Sequence, residues 1–212
     1  MIVQVLSVVF ILFMLYYWTF LIGYIIGSVP FAVLISKTQG IDIFCQGSGN
    51  PGATNVKRVL GKKYGILVFL LDFLKGFLPI FFIKNFFQLH PYQVNNVHAI
   101  LLIGLVLGHS YSLFLKFRGG KGVATTIGGL FILTPSTALL GIVLWYAVFT
   151  ITRFVSLASL CFALSLPLTT YLFAYKTEII RLAFSLMIIL FLRHIPNILR
   201  LWKGIENRFD RK

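Results

Sequence analysis

Acidic residues are scarce in this sequence: only five of its 212 residues are Asp or Glu. Two of those five lie within the last seven positions. Protein sites for Mg²⁺ or Zn²⁺ are built from clustered carboxylates, histidines or cysteines, and the chain offers no such cluster. The GxSxG, GxxxxGK(S/T) and HExxH motifs are also missing. We therefore expect no metal site and no cofactor, and any reaction would need a substrate that is already activated.

Charge of either sign is sparse as well. Only 11% of the residues are charged, whereas soluble domains carry about 25%. Hydrophobic residues make up 58% of the chain, and apolar runs long enough to cross a bilayer recur from end to end. The two cysteines, Cys45 and Cys161, show no disulfide or metal-binding spacing. These features predict an all-α, polytopic integral membrane protein with one domain, residues 1–212.

Most of the charge that is present is positive and unevenly placed, with a formal net charge of +14. It lies in short loops rather than along one soluble face, which argues against nucleic acid as a partner. Of the nineteen Lys and Arg, fifteen belong to loops and flanks on one side, three to the other, and Lys75 to a span. Because basic loops stay in the cytoplasm, we predict the N-terminus outside and the C-terminus inside. That orientation needs an odd number of crossings, and hydropathy alone allows five or seven.

A glycine-rich basic stretch, residues 108–125, lies between two apolar runs. His109 is its second residue, and glycines surround its last lysine in the run Gly119, Gly120, Lys121, Gly122. Glycines let backbone N–H groups approach a ligand, and a lysine beside them adds a point charge. The pattern indicates an anion site near the membrane surface, with phosphate the usual anion. A loop carrying only topogenic charge is the alternative.

An earlier loop, residues 40–65, contains the glycine-rich segment GSGNPG at 47–52. This is formally a GxGxxG, but the strand and βαβ unit of a dinucleotide fold do not fit here. Glycines before a short helix predicted from Gly52 still form an anion-binding nest. The added polar partners would be Ser48, Asn50, Thr54, Asn55 and, one helical turn beyond Thr54, Arg58 with its planar fork. The alternative is a Gly/Asn-rich turn with surface charge.

Three further patterns concern the spans themselves. The GSVP segment at 27–30 is predicted to loosen the first span near its inner end. In the second span Asp72 and Lys75 lie three residues apart, which favours a structural ion pair over a substrate contact. Near the C-terminus His194, Asn197 and Arg200 recur every third residue and form one helical stripe, followed by Glu206. The alternative for that stripe is a set of interfacial residues.

Three segments together resemble the motifs of the bacterial acyl-phosphate:glycerol-3-phosphate acyltransferases, the PlsY family. They are SGNPGATN at 48–55 with Arg58; GH at 108–109 with GGKGVAT at 119–125; and RHIPNILR at 193–200 with Gly204 and Glu206. The segments GSVPF at 27–31 and DFLKG at 72–76 look like further parts of the same pattern. Two positions depart from it, since Ser112 stands where the family usually has proline and Arg118 where lysine is common. The first departure puts the local loop shape in question, and neither changes the glycines or Lys121.

The resemblance implies seven transmembrane helices in the bacterial cytoplasmic (inner) membrane, with a multi-pass topology and an active site at the cytoplasmic face. It implies transfer of a fatty acyl group from acyl phosphate to the 1-hydroxyl of sn-glycerol 3-phosphate. The products would be lysophosphatidic acid and inorganic phosphate, as the first step of bacterial phospholipid synthesis. We also expect contact with the lipid bilayer, functional coupling to the enzyme that forms the acyl phosphate, and a monomer. A transporter of phosphate or an organic phosphate anion is the alternative function.

The predicted site combines the residues implied by the resemblance with those suggested by the loops. Catalytic candidates are Ser48, Arg58, Lys121, His194 and Asn197. Substrate-binding candidates are Gly49, Asn50, Gly52, Thr54, Asn55, His109, Gly119, Gly120, Gly122 and Arg200. Structural candidates are Asp72, Lys75 and Glu206. We expect Lys121 and its loop to hold glycerol 3-phosphate, and Ser48, Asn50 and Arg58 to meet the acyl phosphate.

The expected chemistry needs no covalent enzyme intermediate, because an acyl phosphate already carries a good leaving group. The acceptor hydroxyl must still lose a proton. His194, oriented by Asn197, is the candidate general base. A phosphoryl oxygen of the donor is the alternative base, in which case His194 positions the substrate. Lys121 and backbone N–H groups would stabilise the oxyanion.

Overall fold

The computed structural model describes residues 2–87 and 91–209, and within them the chain forms helices and loops without a strand. This confirms the predicted all-α class. The α-helices are α1 (Ile2–Gly27), α2 (Phe31–Thr38), α3 (Ala53–Leu60), α4 (Lys62–Phe86), α5 (Pro91–Ser110), α6 (Val123–Leu133), α7 (Pro135–Thr152), α8 (Val155–Leu172) and α9 (Thr177–Trp202). A short 3-10 turn, Leu113–Leu115, follows α5.

Within the described ranges, six segments are long and apolar enough to cross a membrane. The first, Leu6–Thr38, joins α1 and α2, and the others correspond to α4, α5, α7, α8 and α9. The shorter α6, with 11 residues, is apolar but would rise only about 16 Å at 1.5 Å per residue. A seventh crossing would therefore have to use α6, and the seven-span count stays a prediction.

The break predicted at residues 27–30 separates α1 from α2. Helix α1 ends at Gly27 and α2 begins at Phe31, immediately after Pro30. The buried Ser112 hydroxyl donates a 2.6 Å hydrogen bond to the carbonyl oxygen of Ser28. The Ser28 hydroxyl accepts a 3.2 Å bond from the Leu113 backbone N–H. Serine at position 112, where a proline was expected, thus ties the loop after α5 to the α1–α2 break.

Helices α1 and α5 pack through glycines spaced four residues apart on both helices. A side chain at Gly23 or Gly27 would overlap the α5 backbone near Leu101 and Leu105, and one at Gly104 or Gly108 would overlap the α1 backbone. Small residues at this spacing let two backbones approach closely, which replaces the hydrophobic driving force missing between helices in lipid. This contact fixes α1 against the bundle although most of its surface faces outward.

Helix α5 is the most buried span, and its apolar side chains form the main core with those of α6, α8 and α9. Helix α4 packs closely on α6, because Gly76 lies against the Thr125 carbonyl and Gly128 against the Phe73 carbonyl. A second, smaller core lies under the first loop and joins α2, α3 and α4. Together the two cores hold α3, α6 and α9 around one end of the bundle.

Candidate active site

The three sequence segments singled out above meet at one cavity of about 530 Å³. The start of α3, the start of α6 and the C-terminal part of α9 all reach it. Of the predicted site residues, the following line it: Ser48, Asn50, Gly52, Thr54, Asn55, Arg58, Asp72, His109, Lys121, Gly122, His194, Asn197, Arg200 and Glu206. Gly49, Lys75, Gly119 and Gly120 do not line it. Lys75, Gly119 and Gly120 instead line a small neighbouring pocket that shares Asp72 and His109 with the cavity.

The first loop is held in shape by the buried side chain of Asn55. Its Oδ1 accepts a 2.8 Å hydrogen bond from the Ser48 backbone N–H. Its Nδ2 donates to the carbonyl oxygens of Ile43, at 3.3 Å, and Gln46, at 2.9 Å. Because the amide is occupied on both sides, we infer that Asn55 shapes the loop rather than binding substrate. Ser48 and Asn50 remain at the cavity wall, where the helix predicted after Gly52 is confirmed as α3.

The second loop places Lys121 between the glycines and α9. Gly122 adopts a left-handed conformation, with a φ of 85°, and α6 begins directly after it. The Lys121 ammonium donates to the side-chain oxygen of Asn197 at 2.5 Å. Burial, helped by the charges of Arg200, Arg193 and Arg58, lowers the pKa of Lys121 to about 8, although the charge of Glu206 opposes the shift. Lys121 is therefore largely charged at neutral pH and loses its charge as the pH rises through about 8.

Arg193, which was not among the predicted site residues, fixes the glycines of this loop. Its guanidinium donates to the carbonyl oxygens of Gly120, at 3.1 Å, and Gly119, at 2.9 Å. The same guanidinium lies 4.7 Å from the centre of the Tyr111 ring. The Gly120 N–H also donates to the His109 carbonyl, at 3.0 Å. The signal in the sequence was an arginine beside the His194 stripe, but its partners lie 73 and 74 residues earlier.

The predicted stripe on α9 is confirmed, and Glu206 closes it from the chain beyond the helix. Glu206 accepts hydrogen bonds from Asn197 (2.6 Å), Arg200 (2.7 Å) and Ser156 (2.9 Å). Burial alone would raise the pKa of Glu206, but these three donors outweigh it and hold that pKa below its usual value. The carboxylate thus fixes the Asn197 side chain, which in turn accepts the hydrogen bond from Lys121.

His194 is oriented by backbone, which corrects one expectation. Its Nδ1 lies 2.8 Å from the carbonyl oxygen of Leu190, one turn earlier on α9. A carbonyl only accepts, so Nδ1 carries the proton and Nε2 is the nitrogen with a free lone pair. Asn197, expected to orient His194, instead bonds Lys121 and Glu206. The reason is helical geometry, since a carbonyl four residues back lies under the ring.

The predicted ion pair within the second span is confirmed and extended. Lys75 Nζ lies 2.7 Å from Asp72 Oδ1, and His109 Nδ1 lies 3.4 Å from the same oxygen. Lys75 also donates to the Val29 carbonyl at the α1–α2 break, at 3.0 Å. A side chain at Gly120 would overlap the His109 ring. His109 therefore supports the wall behind the glycine loop, besides reaching the cavity.

The other part of the cavity is apolar and comes from α4, α6 and α7. Its lining includes Ile66, Phe69, Ile127, Ile142, Trp145, Tyr146 and Phe149. The Trp145 indole is fixed by a 3.2 Å hydrogen bond to the Ser159 hydroxyl and stacks on Phe149, with ring centres 5.1 Å apart. None of these residues was predicted, because in a chain this apolar they resemble ordinary lipid-facing positions. Cation sites and an apolar groove thus share one space.

Comparison with known proteins gives a consistent picture. The family model described as glycerol-3-phosphate acyltransferase matches residues 17–204. The chain is 42% identical to a protein named glycerol-3-phosphate acyltransferase from Aquifex aeolicus, over 187 residues that cover 88% of this chain and 95% of that relative. It is also 42% identical to the protein of that name from Myxococcus xanthus, over 190 residues that cover 89% of this chain and 97% of the relative.

Two solved structures are similar as well. Both are crystal structures of PlsY (YgiH), described as an integral membrane glycerol 3-phosphate acyltransferase. Its glycerol 3-phosphate form has a TM-score of 0.84 at 40% identity, covering 92% of this chain and 96% of that one. Its lysophosphatidic acid form has a TM-score of 0.82, also at 40% identity, covering 92% and 95%. The similarity confirms the predicted polytopic integral membrane fold.

Proposed function

Because this chain belongs to the glycerol-3-phosphate acyltransferase family, we propose that it transfers a fatty acyl group from acyl phosphate to the 1-hydroxyl of sn-glycerol 3-phosphate. The products are lysophosphatidic acid and inorganic phosphate. The family and the structural neighbours support an acyltransferase. They give no support to the alternative of a phosphate or organic-phosphate transporter.

The observation that carries the proposal is the composition of the cavity at which the three segments meet. One part presents Lys121, Arg58 and Arg200 beside the starts of α3 and α6, where backbone N–H groups lack helical partners. The other part is an apolar groove between α4, α6 and α7. An acyl phosphate has the same two-part chemistry, with an anionic head joined to a hydrocarbon chain. Glycerol 3-phosphate adds a second anion, which accounts for cations on more than one element.

Each of the two glycine-rich loops binds the phosphate of one substrate. Lys121 and its loop hold the phosphate of glycerol 3-phosphate, and Ser48, Asn50 and Arg58 hold that of the donor. The acyl chain lies along the apolar groove, which leads toward lipid past α4 and α7. Support comes from the placement of these groups on different elements around one cavity, with Lys121 hydrogen-bonded to α9 and Arg58 carried by α3.

Positioning and charge neutralisation are the main catalytic effects, since the donor is a mixed anhydride. The hydroxyl of glycerol 3-phosphate attacks the acyl carbonyl, and phosphate leaves. His194 Nε2, which carries the free lone pair, takes the hydroxyl proton; a phosphoryl oxygen of the donor is the alternative base. Activity within a few-fold of wild type in His194→Ala, with weakened substrate binding, would assign the proton transfer to the donor.

The membrane arrangement completes the proposal. Seven crossings, with α6 as the short one, give the odd number that the charge distribution requires. The N-terminus then lies outside, and the cavity opens at the cytoplasmic face of the bacterial inner membrane. We also propose a monomer that is coupled functionally to the enzyme that forms its acyl phosphate.

The direct test uses purified protein in detergent or lipid with acyl phosphate and glycerol 3-phosphate. We expect phosphate release and lysophosphatidic acid only when both substrates are present. Release without glycerol 3-phosphate would indicate a hydrolase instead. A folded sample that turns over in neither condition would contradict the enzyme proposal.

A further inference from the structure

The chain beyond α9 returns across the mouth of the cavity. Gly204, with a φ of 69°, turns it away from the helix axis. Glu206 anchors it through its three hydrogen bonds, and the Phe209 N–H donates to the Arg153 carbonyl at 3.0 Å. We call residues 204–209 the C-terminal strap. Asn207 and Phe209 of this strap line the cavity together with Glu206.

Phe209 faces two cations of α3. Lys57 Nζ lies 4.7 Å from the centre of its ring, and Arg58 Cζ lies 5.4 Å from the same centre. Both distances are within the range of about 6 Å in which the negative face of a phenyl ring attracts a cation. Within residues 2–87 and 91–209, Arg58 has no salt-bridge carboxylate. The ring is therefore the charge-complementary surface that restrains this guanidinium before an anion binds.

The same ring also contacts the apolar groove. Its centre lies 6.1 Å from that of Phe149, in an edge-on arrangement with an interplanar angle of 70°. Phe149 stacks in turn on the anchored Trp145. Phe209 thus sits where the groove meets the cations, at the point where the head of an acyl phosphate would join its chain. Phe209 was not among the predicted site residues, and it lies beyond the residues 17–204 matched by the family model.

We propose that Phe209 is a positioning residue that holds the Arg58 guanidinium at the cavity mouth through the face of its ring. It acts on substrate binding through Arg58 and does not touch the reacting atoms. This inference rests on the proposed function, in which Arg58 meets the donor phosphate. The strap makes the contact possible because its anchor, Glu206, is bound to α8 and α9 and not to α3.

The test compares Phe209→Leu, which keeps an apolar side chain without a π face, with Phe209→Tyr, which keeps the π face. We expect Phe209→Leu to raise the KM for acyl phosphate about fivefold, with kcat changed less than about twofold. Phe209→Tyr should stay within about twofold of wild type. Isothermal titration with inorganic phosphate should show the same order of affinities without any turnover.

The strap offers a matched control. Arg208 lies over the Phe154 ring at 5.4 Å, and neither residue lines the cavity. Phe154→Leu therefore removes a comparable cation–π contact of the same strap and should leave both KM values unchanged. In an Arg58→Gln background, which has no cation at position 58, Phe209→Leu should raise the KM for acyl phosphate clearly less than fivefold, because the two residues act as a unit.

Several outcomes would overturn the proposal. They are equal effects of Phe209→Leu and Phe209→Tyr, an equal effect of Phe154→Leu, full additivity with Arg58→Gln, or a loss confined to kcat. Thermal unfolding of each variant separates a folding defect from a binding defect, and the tyrosine variant decides the case if the leucine variant unfolds. Failure of the proposed function is distinct, because wild-type protein itself would then show no turnover.

Discussion

The polar and apolar parts of the cavity are built on different principles. The polar part depends on a few long-range hydrogen bonds, such as those from Lys121 to Asn197 and from Arg193 to Gly119. The apolar part depends on the packing of α4, α6 and α7, and Gly76 and Gly128 set the spacing between α4 and α6. A single substitution should therefore damage the polar part severely and reshape the apolar part only gradually. Substitutions of Lys121 and Arg193 test the polar part, and substitution of Ile142 tests the apolar part.

Replacing Lys121 with methionine should lower kcat/KM at least about 100-fold, because it removes a half-buried cation and leaves the side-chain oxygen of Asn197 without its donor. Steady-state assays with both substrates measure the loss. Lys116→Met is the control, since Lys116 is exposed on the same loop and does not line the cavity. Equal losses in the two variants would show that loop charge in general, rather than Lys121, matters.

Replacing Arg193 with lysine should lower kcat/KM roughly 10- to 30-fold. The variant keeps the charge but loses the fork that holds two glycine carbonyls at once. Arg181→Lys on the opposite end of α9 controls for the general effect of the exchange. An activity of Arg193→Lys close to wild type would mean that the glycine loop holds its shape without this clamp.

Alkaline pH should weaken the enzyme through Lys121. A lysine whose pKa is about 8 is charged below that pH and loses its charge as the pH rises through it. Since kcat/KM reports the free enzyme, it should fall about eightfold between pH 7.5 and 9. Donor hydrolysis is measured in parallel without enzyme. A flat profile up to pH 9.5 would indicate that Lys121 stays charged or that its charge is not required.

Narrowing the apolar groove should give the smallest effect and a selective one. Ile142→Phe adds volume inside the cavity and should lower kcat/KM for long-chain acyl phosphates about threefold relative to short-chain ones. Leu144→Phe, two positions along α7 and outside the cavity lining, should leave that ratio unchanged. If both variants shift the ratio equally, the acyl chain does not lie in this groove.

Much of the fold was predictable because membrane spans are recognisable in the sequence as long apolar runs. A long apolar run must satisfy its backbone groups internally, so each run indicates a helix. The break at Gly27 to Pro30, the short helix after Gly52 and the pairing of Asp72 with Lys75 were all predicted and are present. The number of membrane crossings was not predictable in the same way. The hydropathy of a helix of only 11 residues, such as α6, is too weak a signal to decide between five and seven crossings.

The sequence predicted which residues form the candidate site better than it predicted the hydrogen bonds between them. Polar residues stand out in an apolar chain, and most of those chosen line the cavity. Their partners were not visible, because Asn197 could have faced His194, substrate or Lys121 on the same helical stripe. Only the packed structure shows the bond to Lys121, and the catalytic roles of these residues stay predictions.

The sequence by itself determined the helical membrane class, the positions of the charged loops and the family, since these follow from local composition and spacing. The tertiary structure alone decided which nitrogen of His194 is free, which carbonyls Arg193 holds and how Phe209 comes to lie on Arg58. Each of these contacts depends on side-chain directions, and most join residues far apart in sequence. Such contacts follow from how helices pack, which no local pattern specifies.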